Sequence, residues 1–157
     1  MLLLNFTHRR QRFEHDCLVA CAEMALHQLG LQIDYPRLAK LLQAGPYFTP
    51  FNHLTNLASL RLSVTIGQNA ETSLFETYLD VGLPVIVGVT TLGWQHWRDE
   101  VTQHAVVVVG IDRSNDRIYV HDPFFADGPI EMALVEFEIG WIEKGQEYAV
   151  IGLVEPD

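Results

Sequence analysis

The sequence is poor in cysteine, in basic residues and in long apolar runs, and each shortage narrows the possible functions. Its two cysteines, Cys17 and Cys21, share one predicted helix and are poor candidates for a disulfide, so we expect a reducing, cytoplasmic location. Ten basic against twenty acidic residues give a net charge of −10, which disfavours nucleic acid as a partner because phosphate binding needs Lys and Arg. No apolar run approaches the roughly 20 residues of a spanning helix, which argues against membrane insertion.

The remaining composition fits a single domain over residues 1–157. Apolar residues make up 48% of the chain and charged residues 19%, as in ordinary globular proteins. The charge is uneven: six basic and four acidic residues give +2 over residues 1–70, and four basic and sixteen acidic residues give −12 over residues 71–157. If the two parts form opposite walls of a cleft, those walls differ in sign.

Helices are predicted mainly in residues 1–82 and antiparallel strands mainly in residues 83–157. Apolar residues at helical spacing predict helices over residues 17–29, 35–42, 50–60 and 72–81, with one short strand at 62–66. The later part predicts strands over residues 84–89, 104–111, 118–122, 130–133 and 147–154, and a helix over 135–142. Helices followed by an antiparallel sheet indicate an α+β fold.

Cys17 stands where the first helix begins. Asp16 precedes it and is the expected cap, since its carboxylate can accept the free N–H groups of the first turn. A thiol in this position feels the positive end of the helix macrodipole, which stabilises a thiolate. Gln11 offers a side-chain amide donor just upstream. A papain-type cysteine hydrolase has this arrangement, although a small buried Cys on an amphipathic helix would give the same pattern.

A cysteine hydrolase also needs a base and a group that orients the base. Of the seven histidines, His104 is the strongest candidate, because the mouth of a strand holds a side chain more rigidly than the loop that carries His96. Asp122 ends the next strand, and a turn near residues 113–116 brings the far ends of the two strands together. Asp122 and His121 should face opposite ways. We expect Asp122 to accept the Nδ1–H of His104 and to leave Nε2 facing the sulfur.

Other interpretations fit some of these residues. Cys17 and Cys21 could form a zinc site with His104 and Asp122, but no second Cys/His pair supports it, and we expect neither a metal nor a cofactor. The pair Asp122-Pro123 is also a common strand-terminating turn. A catalytically silent domain could bind a peptide in the same cleft, and an amidase or acyl transferase could use the same triad.

Three motifs occur in order: Gln11 six residues before Cys17, the run His-Ala-Val-Val-Val-Val-Gly from His104, and Asp122-Pro123. Together they resemble the bacteriocin-processing, double-glycine leader peptidases, which are papain-like cysteine peptidases familiar as N-terminal domains of peptide-exporting ABC transporters. The stretch 136–141 resembles the stand-alone members. The resemblance implies a papain-like fold with Cys17 as nucleophile, His104 as base, Asp122 as orienting acid and Gln11 as oxyanion-hole donor. It also implies a peptide or protein substrate and a separate export protein as partner.

The resemblance further implies cleavage after two small residues of the Gly-Gly type in a leader or precursor peptide. Leu18 stands where the family commonly has Gly after the nucleophile. Trp94 and Trp97 lie in the loop before His104, and with Leu18 they are expected to narrow the cleft beside the scissile bond. The alternative is that both indoles only pack the loop onto the sheet.

Overall fold

The computed structural model describes residues 1–154, and its framework is one seven-stranded antiparallel sheet. The strands are β1 (Leu2–Leu3), β2 (Leu62–Gly67), β3 (Val85–Thr90), β4 (Gln103–Asp112), β5 (Arg117–His121), β6 (Ile130–Ala133) and β7 (Tyr148–Leu153). They lie in the order β2-β7-β3-β4-β5-β6, and β1 pairs with β4 next to the end of β3. Because β2 pairs along its whole length with β7, the predicted helical part also contributes to the sheet.

One face of the sheet carries the helices of the first part of the chain. They are α1 (Cys17–Gln28), α2 (Tyr35–Leu41) and a 3₁₀ helix (Phe51–Leu60). Nine residues of α1 are buried, most of them small or aliphatic, so the helix packs close against β4. The other face is covered by α3 (Ser73–Leu79) and α4 (Leu134–Ile142), whose aromatic residues Phe75, Phe137 and Trp141 pack on the valines of the central strands.

A bulge in β4 decides which side chains share a face at the end of the hairpin. Val108 pairs with Val120, but Gly110 pairs with Tyr119, so Val109 is an extra residue. Side chains alternate along a strand, and one extra residue inverts the facing of everything beyond it. If the residue pairs were counted back from the turn between β4 and β5 without the bulge, His121 rather than Asp122 would lie on the same face of the sheet as His104. The extra residue puts Asp122 there instead.

All five predicted helices are present, and one differs in type. The segment Phe51–Leu60 is a 3₁₀ helix, in which Leu54, Leu57 and Leu60 recur every third residue. The hydroxyls of Thr55 and Ser59 donate to carbonyls three residues earlier, at 2.8 and 2.9 Å, and so support the tighter winding. None of the helices within residues 1–154 has both the length and the apolar character needed to cross a membrane.

Single residues mark the end of α1 and the start of α2. Gly30 follows α1 with φ of 82°, a left-handed conformation that favours glycine. Asp34 caps α2, since its Oδ1 accepts the backbone N–H of Arg37 at 2.9 Å.

Candidate active site

Cys17 is the first residue of α1 and is 6% exposed. Its side chain lines a cavity of about 460 Å³, which also includes Leu18, Gly88, His104 and Glu147. We call it the thiol-side cavity. The first N–H groups of a helix have no acceptor within the helix, so the start of α1 presents backbone donors at this cavity.

The expectation that Asp16 caps α1 is wrong. Its side chain makes no capping hydrogen bond, and Oδ2 instead accepts the hydroxyl of Tyr35 at 2.8 Å. The backbone of Asp16 has φ of −99° and ψ of 21°, which is not the extended conformation of a capping residue. Burial, reinforced by the hydrogen bond to Asp16, raises the pKa of Tyr35 above its usual range. Asp16 therefore joins α2 to the start of α1 and leaves the first turn uncapped.

His104 and Asp122 form a buried pair at the end of the β4–β5 hairpin. The Nε2 of His104 lies 2.6 Å from Oδ1 of Asp122, and the residues are 7% and 0% exposed. Burial disfavours the charged imidazole, but the Asp122 carboxylate outweighs burial and raises the pKa of His104 to about 9, with Cys17 acting in the same direction. Burial likewise opposes the charge of Asp122, yet His104 holds the pKa of that carboxyl well below its usual range. Both groups are charged at neutral pH.

The predicted use of the two ring nitrogens is reversed in the structure. Nε2 of His104 meets Asp122, so Nδ1 is the nitrogen left for the sulfur of Cys17. The reason is the strand register. His121 pairs with Val107, which sets Asp122 two residues along the hairpin from His104 rather than directly opposite. Nε2 is the ring nitrogen farther from the backbone of His104, so it is the one that reaches Asp122 across this diagonal.

Four donors surround the Asp122 carboxylate. Oδ1 accepts from His104 and from the backbone N–H of Phe124, at 2.6 and 3.1 Å. Oδ2 accepts the indole N–H of Trp97 at 2.8 Å and Nε2 of His96 at 3.0 Å. The sequence did not identify His96 as a partner of Asp122. The available signal was position in the sequence, since His96 and Trp97 lie in the loop that precedes the strand of His104.

His121 faces away from this site, as predicted. Its ring lies 4.9 Å from that of Phe6, and its Nδ1 is 2.8 Å from Nδ1 of His8. Burial first, and then the nearby His8, lower the pKa of His121 to about 4. His8 also meets the carbonyl of Phe125 through Nε2 at 2.7 Å, which ties the N-terminal arm to the loop after Asp122.

Gln11 lies at the edge of a second cavity, of about 290 Å³, which we call the Trp97-side cavity. That cavity is lined by Gln11, Trp97, His104 and Phe124 among others. Nε2 of Gln11 donates to the carbonyls of Phe13 and Glu14, both at 2.9 Å, while Oε1 is buried without a hydrogen bond among the described residues. The two cavities share Phe48, Gln103 and His104, so they form adjoining parts of one cleft.

The structure separates the three residues expected to narrow the cleft. Leu18 is 2% exposed and lines the thiol-side cavity, and Trp97 lines the other. Trp94 lines neither and is fully buried, with its ring stacked on Phe137 at 5.9 Å. Gly140 on α4 gives it room, since a Cβ there would lie 2.8 Å from the indole nitrogen. Trp94 is therefore a core residue, as the packing alternative held, and Trp97 is the indole that reaches the cleft.

Cys21 lies one turn further along α1 and has no exposed surface. Burial, and then the charges of Cys17 and Asp122, raise the pKa of its thiol well above the usual value. Within residues 1–154, no three His, Cys, Asp or Glu side chains are grouped so that they could hold a metal ion.

The fold matches several solved structures over nearly its whole length. A C39-like peptidase from Bacillus anthracis has a TM-score of 0.76 at 16% identity, over 99% of this chain and 98% of that one. The peptidase domain of Streptococcus ComA, a bi-functional ABC transporter of a quorum-sensing pathway, has a TM-score of 0.73 at 20% identity, over 98% and 100%. A double glycine motif protease from an AMS/PCAT transporter, solved with the leader peptide, has a TM-score of 0.73 at 15% identity, over 97% and 94%.

No curated protein matches the sequence. These structural similarities establish a papain-like C39 peptidase fold. In this chain Cys17 and His104 line one cleft, and the buried Asp122 is hydrogen-bonded to His104. The sequence model of the Peptidase_C39 like family matches residues 3–149, and the chain therefore belongs to that family.

Proposed function

We propose that the protein is a cysteine peptidase that hydrolyses a peptide bond through a thioester at Cys17. The observation that carries the proposal is the buried 2.6 Å bond between His104 and Asp122, next to a thiol at the start of a helix. A buried carboxylate that keeps an imidazole charged is what a thiolate–imidazolium pair requires. The membership of a peptidase family supports the same conclusion.

In this mechanism the proton of the Cys17 thiol already resides on Nδ1 of His104, so the reacting form is a thiolate–imidazolium pair. The thiolate attacks the carbonyl carbon, and His104 returns the proton to the leaving amine as the C–N bond breaks. The acyl group then remains on sulfur as a thioester. His104 next takes a proton from water, whose oxygen attacks the thioester; the C–S bond breaks, the acid is released, and the thiolate–imidazolium pair is restored. Asp122 keeps the ring oriented throughout and stabilises its charged form.

The oxyanion of each tetrahedral intermediate would accept the backbone N–H of Cys17 and the side-chain amide of Gln11. The N–H of Cys17 fits because it belongs to the first helical residue. Gln11 fits by its position at the cleft, but its Nε2 would have to give up the carbonyl of Phe13 or of Glu14 to donate to substrate. One such donor commonly contributes about 3 kcal/mol to the transition state.

The cleft suggests how a substrate lies. The acyl part must reach the sulfur and so occupies the thiol-side cavity, while the leaving amine would enter the Trp97-side cavity beyond His104. We propose cleavage after small residues, of the Gly-Gly type, in a leader or precursor peptide. The buried Leu18 beside the nucleophile supports a small residue before the bond, as does the double glycine motif protease among the similar structures. A separate peptide-export protein is the proposed partner, supported by the two transporter domains.

A fluorogenic peptide library tests this function. Wild-type protein should cut after Gly-Gly or Gly-Ala, and mass mapping with a thiol-directed probe should find the label on Cys17. Cys17→Ala should abolish both cleavage and labelling, whereas Cys21→Ala, the matched control, should keep the labelling. Labelling of Cys17 without cleavage of any peptide would favour a silent binding domain. Efficient cleavage after Leu, Phe or Arg would refute the Gly-Gly preference and leave the cysteine chemistry intact.

A further inference from the structure

The hydrogen bonds around Asp122 exceed those that a triad alone requires. In a triad the carboxylate needs one bond to the base, here from Oδ1 to Nε2 of His104. Oδ2 accepts two further side-chain donors, Nε2 of His96 at 3.0 Å and the indole N–H of Trp97 at 2.8 Å. Asp122 has no exposed surface, so no solvent molecule at the protein surface can take the place of these donors.

Both donors to Oδ2 come from one short 3₁₀ turn, Gln95–Trp97. A carboxylate held through one oxygen can still rotate about its Cβ–Cγ bond, because that torsion has a broad energy minimum. A carboxylate held through both oxygens cannot rotate without breaking a bond. The turn therefore determines the direction in which Oδ1 faces, and through it the orientation of the His104 ring.

His96 is itself held in place. Its ring packs against Trp94 at 5.6 Å and against Phe125 at 5.2 Å, so its plane is fixed by a core residue and by the loop after Asp122. Because the carboxylate can only accept, Nε2 of His96 must carry a hydrogen in this arrangement. The His96 side chain is 17% exposed, whereas that of Asp122 is completely buried.

We propose that His96 is a positioning residue for the catalytic base. By holding Oδ2 together with Trp97, it fixes the Asp122 carboxylate so that Nδ1 of His104 faces the sulfur of Cys17. The inference rests on the proposed function, since it assigns His96 a role in forming the thiolate–imidazolium pair. Without the His96 donor, Oδ2 keeps only the indole N–H of Trp97, so the orientation of the carboxylate is held less firmly. The imidazolium of His104 is then stabilised less well, and less of Cys17 is present as thiolate near neutral pH.

The test measures the alkylation rate of Cys17 by iodoacetamide from pH 5 to pH 9, which needs no knowledge of the substrate. His96→Gln keeps an N–H at the position of the original donor, whereas His96→Asn carries the same amide on a chain too short to reach Oδ2. We expect His96→Asn to slow alkylation at pH 6 roughly tenfold, the size expected for a lost hydrogen bond to a charged group. At pH 9 the rates should converge. His96→Gln should stay within about twofold of wild type at both pH values, because its donor is retained.

His27→Gln serves as the control, since no side-chain hydrogen bond joins His27 to the other described residues and it lies at the far end of α1. Thermal unfolding of each variant separates loss of fold from loss of positioning. A His96→Asn profile that overlays wild type, or equal slowing by His96→Asn and His96→Gln in folded protein, overturns the role of His96. If wild-type Cys17 itself reacts only as an ordinary thiol, with no enhanced rate below neutral pH, the proposed function fails instead.

Discussion

At the scale of single residues, the site depends on the buried carboxylate of Asp122. Both of its oxygens accept hydrogen bonds, which compensate the negative charge. Asp122 accepts four hydrogen bonds and donates none, so every group around it is arranged for an acceptor. The site should therefore be sensitive to a substitution at Asp122 that keeps the shape of the side chain but replaces an acceptor by a donor.

Replacing Asp122 by Asn tests that dependence. In Asp122→Asn one acceptor oxygen becomes an NH₂ group that must face N–H donors, and the negative charge that favours the His104 imidazolium is lost. We expect turnover to fall by roughly 10²-fold or more, with a modest change in KM. His121→Asn is the matched control on the opposite face. It should reduce stability through the lost contacts with Phe6 and His8 and leave kcat of the folded enzyme within about twofold. If His121→Asn is instead the damaging change, the assignment of the orienting acid fails.

Gln11 provides a second residue-scale prediction. Gln11→Ala removes an oxyanion donor, so kcat should drop by roughly 10²-fold with KM little changed. The same change removes two hydrogen bonds to the backbone of residues 13 and 14. Thermal unfolding should accompany the kinetics for that reason. An unchanged kcat in a folded variant would assign the donor to backbone N–H groups alone.

At the scale of elements, α2 is joined to the residue before α1 by a buried hydrogen bond. The hydroxyl of Tyr35 is the hydrogen-bond donor to the Asp16 carboxylate, which is 6% exposed and precedes Cys17 directly. Tyr35→Phe leaves that carboxylate without its donor. We expect the free energy of unfolding to fall by about 1–3 kcal/mol, measured by urea denaturation at pH 7.

Tyr47→Phe is the matched control for that change. Tyr47 is 79% exposed, and its loss of a hydroxyl should alter stability by less than about 0.5 kcal/mol. A Tyr35→Phe variant as stable as this control would mean that Asp16 finds another donor, or water, when the hydroxyl is removed.

The sequence predicted the helices and strands themselves well, but it did not predict the bulge or the contacts between distant elements. The helix beginning at Cys17 and the hairpin between His104 and Asp122 follow from local periodicity and turn residues, and both are present. The bulge at Val109 gives no local signal in a run of four valines, yet it decides the facing of Asp122. The partner of Asp16, the core position of Trp94 and the ring nitrogen that meets Asp122 all depend on packing between distant segments. Periodicity along one segment cannot determine them.

At the scale of the whole molecule, two buried histidines whose pKa values are shifted in opposite directions determine how stability depends on pH. The pKa of His104 is raised to about 9 in the fold, so its contribution is complete below about 6.5, its unfolded value, and is lost as pH rises through about 9. His121 has its pKa lowered to about 4, so the unfolded chain binds that proton more tightly. Its cost therefore grows as pH falls from about 6.5 towards 4.

The free energy of unfolding should consequently pass through a maximum near pH 6.5. Because the pKa of Asp122 is lowered in the fold, this group reduces the free energy of unfolding only below about pH 4, the ordinary pKa of a free Asp. Urea denaturation at intervals from pH 4.5 to 8.5 measures the curve. His121→Asn should flatten its acid side, and His104→Asn its alkaline side. Stability that still rises between pH 7 and pH 8.5 in wild type would contradict the charged state assigned to His104.

The burial of Cys21 has a consequence for oxidative damage. Peroxide converts a reactive thiolate first to a sulfenic acid, which a neighbouring thiol can rescue by forming a disulfide. Cys21 is the only other cysteine, but it is fully buried and its raised pKa keeps it as a thiol, which does not attack. An oxidised Cys17 therefore depends on an external reductant such as glutathione, and without one a second equivalent of peroxide oxidises it to the irreversible sulfinic acid.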